Sequence, residues 1–235
     1  MVNLLFDCAN KAGFPLYENQ LEQFQTYAKL LLEWNEKMNL TAITEKKEIV
    51  TKHFVDSLYG LPFLENSDRL IDVGTGAGFP GIPLKIARPD LSLTLLDSLN
   101  KRLTFLNEVI QSLGLSDTKT VHARAEEGAT KKSPLRESFD CATARAVASL
   151  SVLSEYCLPY VKVGGVFLAY KGGDVEEECK ASKNAVCTLG GEISEILKYT
   201  IPETDITHSI VVIQKTKTTL DIYPRQNGKI SKKPL

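Results

Sequence analysis

The 235-residue sequence predicts an α/β fold in which a mainly parallel, doubly wound sheet follows an N-terminal helical layer. Three observations predict it. Before residue 66 the apolar residues recur at helical spacing only. From residue 68 onward, short β-rich runs alternate with amphipathic helical stretches, the pattern of a parallel sheet wrapped by helices. Directly after the first β-rich run comes a cluster of glycines, at the end of a strand where open α/β sheets bind their ligands. The composition, 43% hydrophobic and 24% charged, is that of a globular chain and excludes fibrous or wholly disordered classes.

Along residues 18–37, Leu21, Phe24, Ala28, Leu31, Leu32 and Trp34 recur mainly at steps of three and four and predict an amphipathic helix. Residues 45–59 predict another, with Ile49, Val50, Phe54 and Leu58 on one side and Pro62 ending propagation. Residues 69–73 then predict the first strand, 82–87 a helix and 93–97 the second strand. In 100–113, Leu103, Leu106, Ile110 and Leu113 lie on one helical face, and Gly114 stands where a left-handed cap is wanted. Strands at 120–123, 139–143 and 165–170 continue the series, with a helix at 148–158 between the last two. A charged helix over 174–185 and strands at 192–197 and 209–214 close it, the last pair reading as a hairpin at the sheet edge. The division expected is a helical cap (1–66), an α/β domain (67–217) and a basic tail (218–235).

The glycine cluster Asp72-Val-Gly-Thr-Gly-Ala-Gly78 carries the chemistry. Glycines at alternate positions permit positive φ and remove the β-carbons that hold a ligand away from the backbone. Continuing to Gly81, the stretch also satisfies the dinucleotide pattern G-x-G-x-x-G, so two cofactor classes stay open. Pro80 and Pro83 lack the N–H groups a pyrophosphate wants at a helix start, and the chain has no room for an oxidoreductase's second domain. Both points favour S-adenosylmethionine. Asp97, at the end of the second strand, suits the two ribose hydroxyls of an adenosine group, with capping of the next helix as its rival role. The Asp72 carboxylate is placed to orient loop amides or to meet the charged methionine end of the cofactor.

Five cysteines, none in a C-x-x-C spacing, read as reduced core thiols of a cytoplasmic protein. The N-terminus lacks the basic and apolar regions of a signal peptide, and no stretch reaches membrane-spanning length. His122 and His208 have no partners at metal-ligand spacing, so no metal is expected, and His53 reads as a packed or capping residue. Net charge is -1, but from Lys215 to the C-terminus six basic residues face one acid, Asp221. That stretch predicts either an anion-binding tail or a solvated, partly disordered end.

The chain resembles the GidB (RsmG) family, bacterial small-subunit (16S) rRNA guanine-N7 methyltransferases, over nearly its whole length. Trp34-Asn-Glu-Lys-Met-Asn-Leu-Thr-Ala-Ile43, Lys52-His-Phe-Val-Asp-Ser57, Asp72 to Gly81, Asp97-Ser-Leu-Asn-Lys-Arg102, Arg124-Ala-Glu126, Thr143-Ala-Arg-Ala146 and Tyr223-Pro-Arg225 carry the resemblance. It implies a class I, Rossmann-like methyltransferase sheet with a helical cap, and S-adenosylmethionine as cofactor. Cofactor contacts carry over to Gly74, Phe79, Ala125, Glu126 and Arg145, alongside Asp72, Gly76, Gly78 and Asp97 from the strand-end reading. Guanine N7 has an exposed lone pair, so the reaction implied needs no general base and rests on positioning. Arg145 and Lys171, each following an apolar strand, are the residues expected to supply that positioning. Lys101, Arg102, Arg124, Arg225, Lys229, Lys232 and Lys233 are expected to meet RNA. A monomer acting on ribosomal RNA or the subunit is the implied assembly, with a small-molecule methyltransferase or a non-catalytic cofactor- and RNA-binding module as rivals.

Overall fold

The computed structural model describes residues 1–145, 148–226 and 228–235, so Ala146 of the Thr143 motif lies outside the described residues. The N-terminal layer comprises α1 (Val2–Lys11), α2 (Glu18–Met38), α3 (Lys46–Glu48) and α4 (Asp56–Leu58), with a π-helical stretch, Ile49–Val55, joining the last two. The sheet-forming part follows as β1 (Arg69–Val73), α5 (Gly81–Ala87), β2 (Ser92–Asp97), α6 (Asn100–Leu113), β3 (Thr118–His122), α7 (Ala125–Gly128), β4 (Phe139–Arg145), α8 (Leu150–Cys157), β5 (Val161–Gly172), α9 (Glu176–Thr188), β6 (Gly191–Thr200) and β7 (Thr207–Lys215). A short α10 (Lys229–Lys232) lies in the tail.

The seven strands stand in the order β3-β2-β1-β4-β5-β7-β6. The first five are parallel, and β7 pairs antiparallel with both β5 and β6. The order reverses between β1 and β4, which opens a crevice at their carboxyl ends, the usual ligand position in such sheets. The expected hairpin forms, and its second strand inserts between β5 and β6.

The buried sheet strands read as continuous apolar runs, as strands covered on both faces must. One face shares a core with the N-terminal helices, joining Phe24, Tyr27, Leu31 and Phe54 to Leu70, Leu93, Leu95 and Leu168. The other face packs Ile71, Ala142, Phe167 and Val211 against α8 and α9 through Leu150, Leu153, Cys179 and Val186. None of the helices described is long and apolar enough to cross a membrane.

Two elements differ from the sequence reading. Residues 45–59 form a broken helix whose middle is π-wound. Six of its seven residues, Ile49, Val50, Thr51, His53, Phe54 and Val55, are buried, more than one α-helical face supplies, and the wider turn brings them all inward. Parts of the basic stretch are packed: Thr219, Pro224 and Ile230 are buried, while Lys229, Lys232 and Lys233 are exposed. Lys215, one of its six basic residues, is fully buried, donating to Leu158 O at 2.7 Å and pairing with Glu137 at 3.1 Å. Burial pulls its amine down to about 8, against the pull of Glu137.

A strand-end cleft and the network beside it

Beyond β1, the chain turns through Gly74, Gly76 and Gly78, all in the left-handed region at φ of 70°, 60° and 99°. The three glycines serve different ends. A β-carbon on Gly74 or Gly76 would meet nothing within 4 Å, whereas one on Gly78 would strike Tyr27 Oη and Ile82 Cγ1, both at 2.7 Å. Gly74 therefore faces open space, while Gly78 lets the cap helix α2 close on the loop. Tyr27 Oη also donates to Ala77 O, tying the cap to the loop a second time.

Gly74 lines a cleft of about 330 Å³ with Val73, Asp97, Ser98, Arg124, Ala125 and Glu126 on one side and Leu153, Tyr156 and Cys157 of α8 on the other. The volume falls at the lower end of the range of small-molecule sites. Asp97 and Glu126 are buried carboxylates at the mouths of β2 and β3. Asp97 Oδ2 accepts from Gly76 N at 2.9 Å and from Arg102 Nη1 at 3.3 Å, and Oδ1 accepts from Leu99 N at 2.9 Å. It thus braces the glycine loop and the turn that leads into α6 while lining the cleft; α6 itself has no side-chain cap. Arg102, expected to meet RNA, is partly committed to this carboxylate.

Asp72 is fully buried beneath the loop and does not line the cleft. Its Oδ2 accepts from Thr75 Oγ1 at 2.7 Å and Gly81 N at 3.0 Å, and its Oδ1 from Thr143 Oγ1 at 3.2 Å. Of the two roles read from sequence, orienting the loop fits this position and meeting the cofactor's methionine end does not. Burial pushes the Asp72 carboxyl up to about 6, although its three hydrogen bonds and Arg145 oppose the rise.

Phe79 also sits outside the residues lining the cleft. Its ring stacks on His53 with centroids 4.4 Å apart, and the Arg145 guanidinium lies 4.9 Å from its centre. Arg145, at the end of β4, donates through Nη1 to Lys52 O and Asp56 Oδ2, both at 3.0 Å, and through Nη2 to His53 Nδ1 at 3.0 Å. Because guanidinium only donates, His53 Nδ1 accepts; its proton sits on Nε2, 2.9 Å from Thr41 Oγ1. Burial and the adjacent Arg145 depress the His53 imidazole to about 3. Asp56 is almost fully buried and also accepts from Tyr199 Oη at 2.8 Å and His208 Nδ1 at 2.7 Å. Burial alone would raise its carboxyl, but the bonds from His208, Arg145 and Tyr199 prevail and hold it below the ordinary range.

Asp56, His53, Tyr199 and His208 were not singled out as site residues from sequence. The signal for two of them was present in Lys52-His-Phe-Val-Asp-Ser57, where His53 and Asp56 stand three apart on a buried helical face. Tyr199 and His208 come from the closing hairpin, and no local pattern announces their meeting with Asp56.

Lys171 does not reach the cleft. Its amine donates to Ala148 O and Glu178 Oε1, both at 2.8 Å, and the same Glu178 oxygen accepts from Leu150 N at the start of α8. That arrangement joins α8, α9 and β5 and replaces the electrostatic part expected of Lys171 with a packing one. Arg225 is turned inward as well. Its Nε and Nη2 grip both oxygens of the fully buried Glu155 at 2.6 to 3.1 Å, and its backbone N adds a fourth bond at 2.8 Å. Its Nε and Nη2 are thereby spent on Glu155. Lys101, Arg124, Lys229, Lys232 and Lys233 are exposed. No group of three or more His, Cys, Asp or Glu able to hold a metal occurs among the described residues.

A family profile described as GidB, rRNA small subunit methyltransferase G, matches residues 20–207. The chain belongs to the GidB family. A ribosomal RNA small subunit methyltransferase G of Alkaliphilus metalliredigens is 55% identical over 234 residues, covering 99% of this chain and 98% of the relative. One from Clostridium perfringens strain 13 is 52% identical, covering 98% of each. Solved structures extend the likeness to fold alone. A putative transferase from Pyrococcus horikoshii superposes with a TM-score of 0.55 at 13% identity, covering 69% of this chain and 63% of that one. M. jannaschii TYW2, solved with AdoMet, gives 0.53 at 14% identity, covering 69% and 76%. The likeness to these two relatives runs over the N-terminal helices and the C-terminal stretch as well as the sheet.

Proposed function

We propose that this chain transfers the methyl group of S-adenosylmethionine to N7 of a guanine in small-subunit ribosomal RNA, acting as a cytoplasmic monomer. The observation carrying the reading is the cleft at the reversal point of the sheet in a chain of the GidB family. Gly74 opens it without a β-carbon, and the buried carboxylates Asp97 and Glu126 flank it after successive strands. That pair of acceptors fits an adenosine group, since acidic side chains at strand ends accept from ribose hydroxyls and an exocyclic amine. The same carboxylates would suit a dinucleotide's ribose, so the choice of S-adenosylmethionine rests on membership of the GidB family. Held there, the cofactor supplies an electrophilic methyl on a sulfonium.

The protein's own part is positioning. Guanine N7 carries its lone pair at neutral pH, so no residue has to remove a proton, and the His53 ring, with both nitrogens engaged, is not disposed to do so. Arg145 is held at the end of β4 by three acceptors, its cation fixed over Phe79, and so presents a fixed charge beside the crevice at no reorganisation cost. Arg124 at the rim and Lys101 at the start of α6, with Lys229, Lys232 and Lys233 in the tail, supply charge for RNA phosphates. Residues 1–66, 67–217 and 218–235 are our division of the chain into cap, catalytic domain and tail.

Incubation with labelled cofactor, small ribosomal subunits and their naked RNA tests the reading. Label is expected at one guanine, located by cleavage at N7-methylguanine, and binding weakens steeply with salt. Absence of label from every RNA, or label elsewhere than N7, overturns it.

A further inference from the structure

The C-terminal tail reads from its charge as an RNA arm, yet the structure builds it into the wall of the cofactor cleft. After β7 it is drawn across the outside of α7 and α8 by a series of internal bonds. Arg136 donates to Thr219 O at 2.7 Å, Leu220 O at 3.2 Å and Tyr223 O at 2.8 Å. Arg225 then locks onto Glu155 of α8. Gln226 Nε2 donates to Glu126 O at 2.6 Å, the backbone of a residue that itself lines the cleft. Beyond it Gly228 and Ser231 line the cleft directly, Ser231 Oγ lies 3.1 Å from Tyr156 Oη, and Ile230 is buried. On the same short α10, Lys229 and Lys232 point to solvent, with Lys233 beside them.

We propose that Gly228 and Ser231, held in place by Gln226, form the outer wall of the cofactor site, and that RNA phosphates binding Lys229, Lys232 and Lys233 press this wall closed. Cofactor affinity and RNA affinity are then coupled through the tail. This coupling rests on the RNA-methyltransferase reading above; the wall itself does not. One short helix carries both surfaces, with the cleft on its inner side and the lysines on its outer side, so it cannot open for one ligand without changing its contact with the other. Reciprocity follows: whatever factor RNA adds to cofactor affinity, cofactor adds to RNA affinity. The arrangement also explains why Arg225 is spent on Glu155. An anchor buried against α8 fixes the hinge side of the wall, leaving residues 228–233 as the part that responds.

Two measurements on the full chain test the proposal without turnover. In the first, S-adenosylhomocysteine binding is measured by calorimetry with no RNA present, for the wild type, Ser231→Trp and the mild double variant Tyr156→Phe with Gln226→Ala. Hydrogen exchange is followed in peptides covering 223–235. The ligand is expected to slow exchange in those peptides, and the double variant to bind several-fold more weakly, as loss of two partly exposed hydrogen bonds implies. Equal affinities together with unchanged exchange overturn the wall. In the second, a small-subunit RNA fragment is added. Wild-type affinity for S-adenosylhomocysteine is expected to tighten by about tenfold, within the usual range of coupling between sites. In Lys229→Glu, Lys232→Glu, Lys233→Glu, whose substitutions are all at exposed positions, the tightening is expected to vanish. Equal tightening in wild type and variant overturns the coupling. Failure of the fragment to bind the wild type overturns the coupling along with the RNA reading, while leaving the first measurement to decide the wall.

Discussion

Replacing Asp72 with asparagine should make the protein acid-labile in a window where the wild type is insensitive. His53 is neutral in the fold, with its imidazole depressed from 6.5 to about 3, so below pH 6.5 the unfolded chain binds a proton that the folded chain refuses. Folded stability therefore falls with pH, by about 1.4 kcal/mol for each pH unit once the unfolded imidazole is charged. Asp72 works in the other direction. Its carboxyl is raised from 3.8 to about 6, so between those values the folded chain holds a proton that the unfolded chain lacks, and stability rises as pH falls. From pH 6 to pH 4.5 the two slopes oppose each other and roughly cancel. Asp72→Asn removes the second and exposes the first, so the variant should lose ~2 kcal/mol relative to wild type across that interval. His53→Gln should show the opposite, gaining by a similar amount. Urea unfolding at half-unit steps of pH, followed by fluorescence of Trp34, the single tryptophan, reads both. Only the pH slope of each difference matters, so a constant offset from altered packing does not confuse it. Difference curves that stay level from pH 6 to 4.5 would refute the opposing burial of these two groups.

Gly74→Leu should fold with a penalty of ~1–2 kcal/mol, because only glycine adopts its left-handed φ without strain, while the new side chain fills the cleft and abolishes S-adenosylhomocysteine binding in calorimetry. Gly78→Ala should do the converse, destabilising the fold by ~1–3 kcal/mol through overpacking against Tyr27 and Ile82, as read by thermal unfolding. Asp56→Ala should leave the Arg145 guanidinium without its carboxylate and cost ~3–5 kcal/mol; Asp56→Glu restores the charge but not the distances, so recovery of stability without recovery of kcat would separate holding Arg145 from merely compensating it. Lys171→Met should lower the melting temperature by loosening α8 from α9 while kcat stays near wild type; the reverse outcome would return Lys171 to the chemistry.

The elements were legible where the physics is local. Asn100–Leu113 follows from its apolar face and from Gly114 in the left-handed region, both present in the sequence and both found in the structure. The residues of the cleft were legible for a related reason: Gly74, Asp97, Ala125 and Glu126 each stand within a few positions of a strand end, and a parallel sheet gathers its strand ends on one side. Charge without context was a poorer guide. Lys171, Arg225 and Lys215 look alike in sequence to Lys229 and Lys232, yet the first three are withdrawn from solvent, Lys171 onto Glu178 of the next helix and Arg225 and Lys215 onto the distant Glu155 and Glu137. Whether a cation is spent inside depends on a partner that chain spacing does not reveal. The same holds for Asp56, whose partners Arg145, Tyr199 and His208 come from β4, β6 and β7. This carboxylate joins the cap to three strands while fixing the arginine beside the crevice. The cap is therefore bonded directly to the strand end that carries Arg145, and replacing His53 or Asp56 should be felt there.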